Sequence, residues 1–374
     1  MVKFIIKKRM NNYSYSINSD SIKFLEKYLN EFSPTGNERE GQKIWIDYIS
    51  SYVEKIQTDL YGTAVGIINP DSPYKLIIEA HVDEISWYVN HITEEGIIYV
   101  SRNGGSDPQI SPSKRVIIHT KKGFVHGVFG WPAIHTRKSS EEKSKCPNVD
   151  NIFVDIGVSN KTEAIQMGVH VGCMITYPDK FFIMNHNYFV SRGLDNKIGG
   201  FIIAEVAKML IENGIDLKFG LYIVNSVQEE VGLKGAQMIS QTIQPNVAIV
   251  TDVTHDTYSP MIDKKIQGDV KCGLGPVIVY APSIHQNIRE FIINIAYNKK
   301  IHFQRLVSSR YTGTDTDAFA YSNKGVSSAL ISIPLKYMHT TVEMVHRKDV
   351  EQAISLIFET LQEVNQNNKS IFID

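Results

Sequence analysis

The run Leu221-Tyr-Ile-Val-Asn-Ser-Val-Gln-Glu-Glu230 reads as a strand that ends in two adjacent acids. Carboxylates that follow an apolar strand stand where an α/β sheet presents its chemistry. Neighbouring side chains on an extended segment point in opposite directions. One acid of the pair can therefore bind a cation while the other faces a substrate or a water beside it. A Glu-Glu dipeptide by itself is ordinary solvated surface. Glu229 and Glu230 gain meaning from His81, Asp83, Asp195, Asp252 and His339, each of which also falls at a strand end or in a loop.

Outward from this run, helix-like and strand-like stretches alternate. Upstream, Ile22, Leu25, Leu29 and Phe32 recur at helical spacing, Ser33-Pro-Thr-Gly36 interrupts, and helical periodicity resumes from Glu38 to Val53. Residues 61–68 and 75–80 are short β-rich runs, the second ending directly at His81. Downstream, the pattern predicts a helix over 198–213, a strand over 221–227, a helix opening at Gly235 and a strand over 247–251 that ends at Asp252. A helix over 287–298, a strand over 329–334 and an amphipathic helix over 349–366 follow. This alternation predicts a layered α/β/α domain with a mixed sheet.

From about residue 85 to 187 the texture differs. Short β-branched and aromatic runs are separated by Gly, Pro, Asn and Ser turns, with one helix near Lys161–Met167, as in a compact β module. The expected organisation is a discontinuous α/β domain, residues 1–84 and 188–374, with a small β-rich domain, residues 85–187, inserted into it. The polar stretch 135–150 is expected to be a loop.

A chain of 374 residues can bury a substantial core, and its 43% hydrophobic and 21% charged content is that of a globular protein. The net charge of −1 gives no electrostatic case for nucleic acid or an anionic membrane surface. Cys146, Cys173 and Cys272 are odd in number and scattered, which fits neither a disulfide framework nor a CxxC metal site and points to the reducing cytoplasm. The first ten residues hold only three consecutive apolar ones, too few for an export signal, and no stretch approaches about 18 uninterrupted apolar residues.

The acids and histidines at the element ends make a candidate metal site. In extended backbone, residues two apart share a face, so Asp83 can hold the second ring nitrogen of His81, the support that a ligating histidine needs. Asp195, in a Gly-Leu-Asp-Asn turn before a helix, is placed to bridge two cations. If it is shared, His81, Asp195 and Asp252 form one site, and Asp195, Glu230 and His339 the other. Histidine and carboxylate ligands without cysteine favour zinc, with cobalt or manganese as alternatives. Two such ions polarise a carbonyl and activate a water, leaving Glu229 free as general base and then acid. His119, His126, His135, His285 and His346 have no comparable acidic partner, and His255-Asp256 is the nearest rival. Gly313-Thr-Asp-Thr-Asp317 lacks calcium-loop spacing and reads as a polar turn at the mouth of the site. Gly104-Gly105 and Gly199-Gly200 lack the spacing of a phosphate loop.

Taken in order, Glu79-Ala-His-Val-Asp-Glu-Ile, Gly104-Gly-Ser-Asp-Pro-Gln, Arg192-Gly-Leu-Asp-Asn-Lys-Ile-Gly, Ser226-Val-Gln-Glu-Glu-Val-Gly-Leu-Lys-Gly-Ala, Thr251-Asp-Val-Thr, Gly273-Leu-Gly-Pro, Tyr311-Thr-Gly-Thr-Asp-Thr-Asp-Ala and Ser332-Ile-Pro-Leu-Lys-Tyr-Met-His-Thr-Thr-Val-Glu resemble the tetrahedral aminopeptidase family. This family of dinuclear metallopeptidases includes glutamyl and deblocking aminopeptidases, and some members were earlier described as endoglucanases. The resemblance covers nearly the whole chain. It implies His81, Asp195, Glu230, Asp252 and His339 as ligands of two metal ions per subunit, Asp83 as the partner of His81, and a cis peptide from Asp195 to Asn196. It also decides which acid is the base, Glu229, a point that spacing leaves open. The inserted module is implied to be PDZ-like and used in assembly, from a dimer up to a tetrahedral dodecamer.

The function expected is therefore a cytoplasmic metallo-aminopeptidase acting on short peptides. Two other readings compete: a catalytically inactive metal-bearing peptide-binding scaffold, and a glycoside hydrolase, which needs two opposed carboxylates and no metal.

Overall fold

The computed structural model describes residues 15–137 and 146–366. The strand that carries His81, Lys75–His81, stands in the middle of an 11-stranded mixed sheet. It runs parallel to Gly220–Ser226 on one side and to Val247–His255 on the other, and Val247–His255 runs parallel to Ser327–Lys336. Antiparallel strands extend the sheet: Ala64–Ile68 and Lys55–Thr58 at one edge, Glu343–His346, Tyr188–Ser191 and Phe182–Met184 at the other. Val277–Tyr280 also pairs with Ser327–Lys336, and Gln304–Val307 with Val277–Tyr280. This is the mixed α/β fold that the alternation of elements predicted.

The central strands are apolar on both faces because both faces are covered. Leu76, Ile78, Leu221, Ile223 and Ile249 enter one core, while Ile77, Tyr222, Val224, Ala248 and Val250 enter another. The first core is completed by the helices Ser19–Asn30, Arg39–Ile49, Leu194–Glu212, Gln286–Lys299 and Arg347–Gln366. Lys234–Ile243 and Asp315–Ala320 complete the second. Leu194–Glu212 is buried over nearly its whole length, which explains why it is apolar all round rather than striped.

Two elements differ from their sequence reading. The strand expected to stop at Asp252 continues to His255, because its partner continues in register to Leu335, with Thr254 opposite Pro334. The helical periodicity expected through Val53 breaks at Ile49. A single 3-10 turn, Ser50–Tyr52, follows it, and Val53 is extended.

Six strands, in the order Ser86–Ile92, Ile98–Asn103, Phe153–Asp155, Gly123–Gly130, Arg115–Thr120 and Met174–Thr176, close on one another as a barrel. Trp87, Ile98, Ile118, Phe129, Val154 and Ile175 fill a core of its own. A closed six-stranded barrel thus occupies the stretch for which a PDZ-like module was expected. The export-signal reading of the first ten residues lies outside the described residues, as do residues 138–145 of the predicted loop 135–150. Among the described residues no helix is long and apolar enough to cross a membrane.

The parallel strands matter most for chemistry, since their C-terminal ends all lie along one edge of the sheet. Ser226 is in register with His81, and Val250 with Glu79. Asp252 and His81, each two residues beyond that last pair, therefore emerge side by side on one face.

Candidate active site

His81 is the last residue of its strand and is almost wholly buried. Its Nε2 lies 3.3 Å from Asp195 Oδ1, 3.8 Å from Glu229 Oε2 and 3.9 Å from Asp252 Oδ1. Its Nδ1 lies 3.3 Å from Asp83 Oδ1 and 3.2 Å from the Asp83 carbonyl. A proton on Nδ1 therefore has two acceptors, and the Nε2 lone pair is left facing the acids. Across the site, His339 Nε2 lies 3.3 Å from Asp195 Oδ2 and 3.4 Å from Glu230 Oε1. Asp195 thus turns one carboxylate oxygen to each imidazole. The peptide that follows it, to Asn196, is cis. All seven residues singled out in the sequence converge: His81, Glu229 and Asp252 form one group able to hold an ion, Asp195, Glu230 and His339 a second, and Asp83 braces the first.

The electrostatics are those of a place that lacks positive charge. Five carboxylates face two imidazoles, so even fully protonated rings leave a buried negative excess. Burial, together with Asp252, Asp315 and Glu230, pushes the Glu229 carboxyl up to about 10 against the pull of His81. Burial and the neighbouring Asp195 likewise raise Glu230 and Asp252. Asp195 goes the other way: burial opposes ionisation, but His339 and His81 hold its carboxyl below the usual range. For His339, burial disfavours the charge, yet Asp195 and Glu230 carry it to about 11.

The donor atoms fit divalent cations in spacing as well as in charge. Two ligand atoms about 2.0–2.1 Å from one tetrahedral ion stand about 3.3–3.4 Å apart. The Asp195–His81, Asp195–His339 and Glu230–His339 separations are 3.3, 3.3 and 3.4 Å.

Several residues hold the site in ways that the sequence reading did not assign. Asp83 does more than face His81. Its carboxylate accepts the backbone N–H groups of Glu229 (3.0 Å) and Glu230 (3.2 Å) and the hydroxyl of Thr35 (3.0 Å). It thereby ties the Glu229-Glu230 turn to the His81 strand. Glu343, fully buried, accepts the N–H of Asp195 at 3.1 Å and that of His339 at 2.8 Å. His339 sits at φ +60°, a conformation that most side chains avoid, and Glu343 satisfies the N–H presented there. Behind Asp195, Glu84 pairs with Arg192 and with Lys197 at 3.2 Å, which pins the Arg192–Lys197 turn. Below the site, Ser226 Oγ donates within reach of Glu79 (2.6 Å) and Asp315 (2.7 Å). Glu79, Glu84, Arg192, Lys197, Ser226, Asp315 and Glu343 all lie within the stretches that carry the family resemblance, a signal of place that assigned them no role.

Six of the seven, all but the buried Asp83, open on a cavity of about 690 Å³, lined also by Gly105, His255, Tyr311, Thr312, Thr314 and Asp317. Of the stretch read as a polar turn, Gly313, Thr314 and Asp317 line the cavity, but residues 315–317 open the helix Asp315–Ala320 and Asp315 is buried; Asp317 accepts the N–H groups of Thr312 and Gly313. His255 lines the cavity, whereas Asp256 is consumed by the backbone of Tyr258 and Cys272. His119, on a barrel strand, instead packs between Phe124 of the barrel and Phe32, which follows the helix Ser19–Asn30. A larger cavity of about 890 Å³ opens near the N-terminal ends of the parallel strands, beside Asn246 and Ser327. Its lining includes His285 and Lys324 but no acid, so the smaller cavity is the chemical one.

The sheet thus gathers paired acids and histidines able to hold metal ions at its C-terminal edge, as a metal-dependent hydrolase site requires. The model of the M42 glutamyl aminopeptidases matches residues 62–356, and the chain belongs to that family. It is 32% identical over 341 residues to the lysyl aminopeptidase of Pyrococcus furiosus, covering 91% of this chain and 96% of that one. Its fold superposes with a TM-score of 0.88, at 30% identity, on a TET aminopeptidase from a marine sediment archaeon of the Thaumarchaeota, covering 92% of this chain and 97% of that one. It also superposes with a TM-score of 0.79, at 27% identity, on the TET1 peptidase of Pyrococcus horikoshii, covering 91% of this chain and 98% of the other. The last can assemble into a tetrahedron or a large octahedral shell. The chain is accordingly a peptidase, a hydrolase of the aminopeptidase type.

Proposed function

We propose that the protein removes N-terminal residues from short peptides at a two-metal centre. His81, Asp195 and Asp252 hold one divalent ion, and Asp195, Glu230 and His339 the other. The observation that carries this reading is Asp195, whose two oxygens each stand 3.3 Å from a different histidine Nε2. The donor set, imidazole and carboxylate without thiolate, suits zinc, with cobalt or manganese as substitutes. When bound, such ions polarise a peptide carbonyl and acidify a water.

Glu229 carries the proton. Its distance to His81, 3.8 Å, hardly differs from the 3.9 Å of Asp252, so its role rests on its surroundings. It lines the cavity, and no hydrogen bond to its carboxylate occurs among the described residues. Bound cations would supply the missing positive charge and draw its carboxyl down, leaving it ionised to take a proton from the attacking water and hand it to the departing nitrogen, which leaves as a neutral amine. Asp83, by holding the Glu229 N–H, keeps that carboxylate at the same place through both transfers.

Residues 85–187 act as a module for assembly, and the protein forms homo-oligomers between a dimer and a tetrahedral dodecamer. The edge strand Phe182–Met184 supports homo-oligomer formation, since all three of its apolar side chains are exposed, although it belongs to the 11-stranded sheet and not to the barrel. Cys146, Cys173 and Cys272 form no disulfide with one another, which suits a reducing compartment such as the cytoplasm.

The test is Glu229→Gln, followed by metal content and by turnover of aminoacyl-nitroanilides with added zinc, cobalt or manganese. Ion content is expected to match the parent while turnover falls about a thousandfold or more, because base and electrophile act as a unit. Near-parental turnover removes Glu229 from the mechanism. Full activity after chelation removes the metal centre.

A further inference from the structure

The barrel reaches into the metal centre. Strand Ile98–Asn103 ends in Gly104-Gly105, and this turn lies against the two residues that complete the Asp195 side of the site. Gly104 has φ +75°, and a Cβ on it would come within 3.1 Å of Glu230 Cβ. At Gly105 a Cβ would stand 2.4 Å from Nδ1 and 2.5 Å from Cε1 of His339. Real Cβ atoms do not approach that closely, so the bare backbone of Gly105 is the wall on which the His339 ring rests.

The turn cannot drift from that position. On one flank Asn103 Nδ2 donates to the Thr35 carbonyl and to Ser86 Oγ, both at 2.8 Å. On the other, Ser106 Oγ donates to the Ser86 carbonyl at 2.6 Å. The Thr35 hydroxyl in turn donates to Asp83 at 3.0 Å. A second barrel residue, Lys114, donates from Nζ to Thr341 Oγ1 at 2.8 Å and so holds the loop that carries His339. His339 is thus gripped from below by Glu343 through its N–H and from the side by barrel backbone against its ring.

We propose that Gly105 is a positioning residue of the metal centre: its lack of a side chain sets the rotation of His339 so that Nε2 faces Asp195 and Glu230. The barrel is then part of the catalytic site as well as an assembly module. This rests on the two-metal reading given above.

Equilibrium dialysis of full-length Gly105→Ala against zinc tests it. The ion held by Glu230 and His339 is expected to bind at least tenfold more weakly, while the ion held by His81 and Asp252 keeps its parental affinity. A parental affinity for both ions overturns the proposal, and so does an equal loss at both. Melting in EDTA separates positioning from general damage through a cycle with His339→Ala. Gly105→Ala is expected to lower the melting temperature in the parent background but not in the His339→Ala background, where the clash is gone. An equal drop in both backgrounds overturns the proposal. A parent protein that binds no divalent ion refutes the metal centre itself, and the EDTA cycle then still decides whether Gly105 acts through His339.

Discussion

Glu343 shows how much of this site is made by residues that never touch its contents. Its two oxygens separately take the N–H groups of Asp195 and His339, two members of one ion-holding group. Removing it leaves two backbone donors without partners, each costing about 1–3 kcal/mol if buried. Glu343→Ala is expected to weaken cation binding by about 10- to 100-fold, as loss of support behind a ligand generally does. Glu343→Gln retains one acceptor oxygen and should recover part of that loss. Zinc titration of the two variants against the parent checks both; equal affinity in Glu343→Ala and parent would contradict the assigned role. His81, Asp195, Glu229, Glu230, Asp252 and His339 were legible because ligand chemistry restricts residue type and strand ends restrict place. Glu343 was not, because a buried acid that accepts backbone N–H groups has no sequence pattern of its own.

At the scale of elements, strand and helix order was readable from periodicity, but lengths were decided by pairing. The strand through Asp252 gained three residues from its neighbour, and that neighbour carried a proline within its pairing register, where apolar runs alone set no limit. The Arg192–Lys197 turn depends on a contact over more than a hundred residues, with Glu84 as its counter-charge. Burial works against ionisation of Glu84, yet Arg192 and Lys197 overcome it and hold the carboxyl down at about 2. A carboxyl with a depressed folded-state pKa stabilises above its unfolded value, near 4.3, and that contribution fades as pH falls toward the folded one. The contribution is on the order of 3 kcal/mol. Glu84→Gln is expected to melt well below the parent at pH 6, with the two curves converging as pH approaches 2. Parallel melting curves across that range would show that Glu84 is not held ionised.

For the whole molecule, the barrel is the part that the sequence described least. Short β-branched runs and frequent turns announce β structure, but closure in the order seen depends on which edges meet, and no local pattern encodes that. The barrel's own core of Trp87, Phe129 and their neighbours makes it a body able to carry contacts to other copies, while its Gly104-Gly105 end stays committed to the site. Solution mass by light scattering is expected to be an integral multiple of the 42.3 kDa chain, at least twofold. A strictly monomeric species at micromolar concentration would remove assembly from the account.

Asp195 stands between a histidine contributed early in the chain and one contributed late, His81 and His339. A polypeptide emerging from the ribosome has exposed its first imidazole and the whole barrel long before the second leaves the exit tunnel. Until then Asp195 has a partner for only one of its oxygens. The site is thereby incomplete until His339 has emerged, and a chain stopped before that residue lacks one of the two imidazoles that face Asp195.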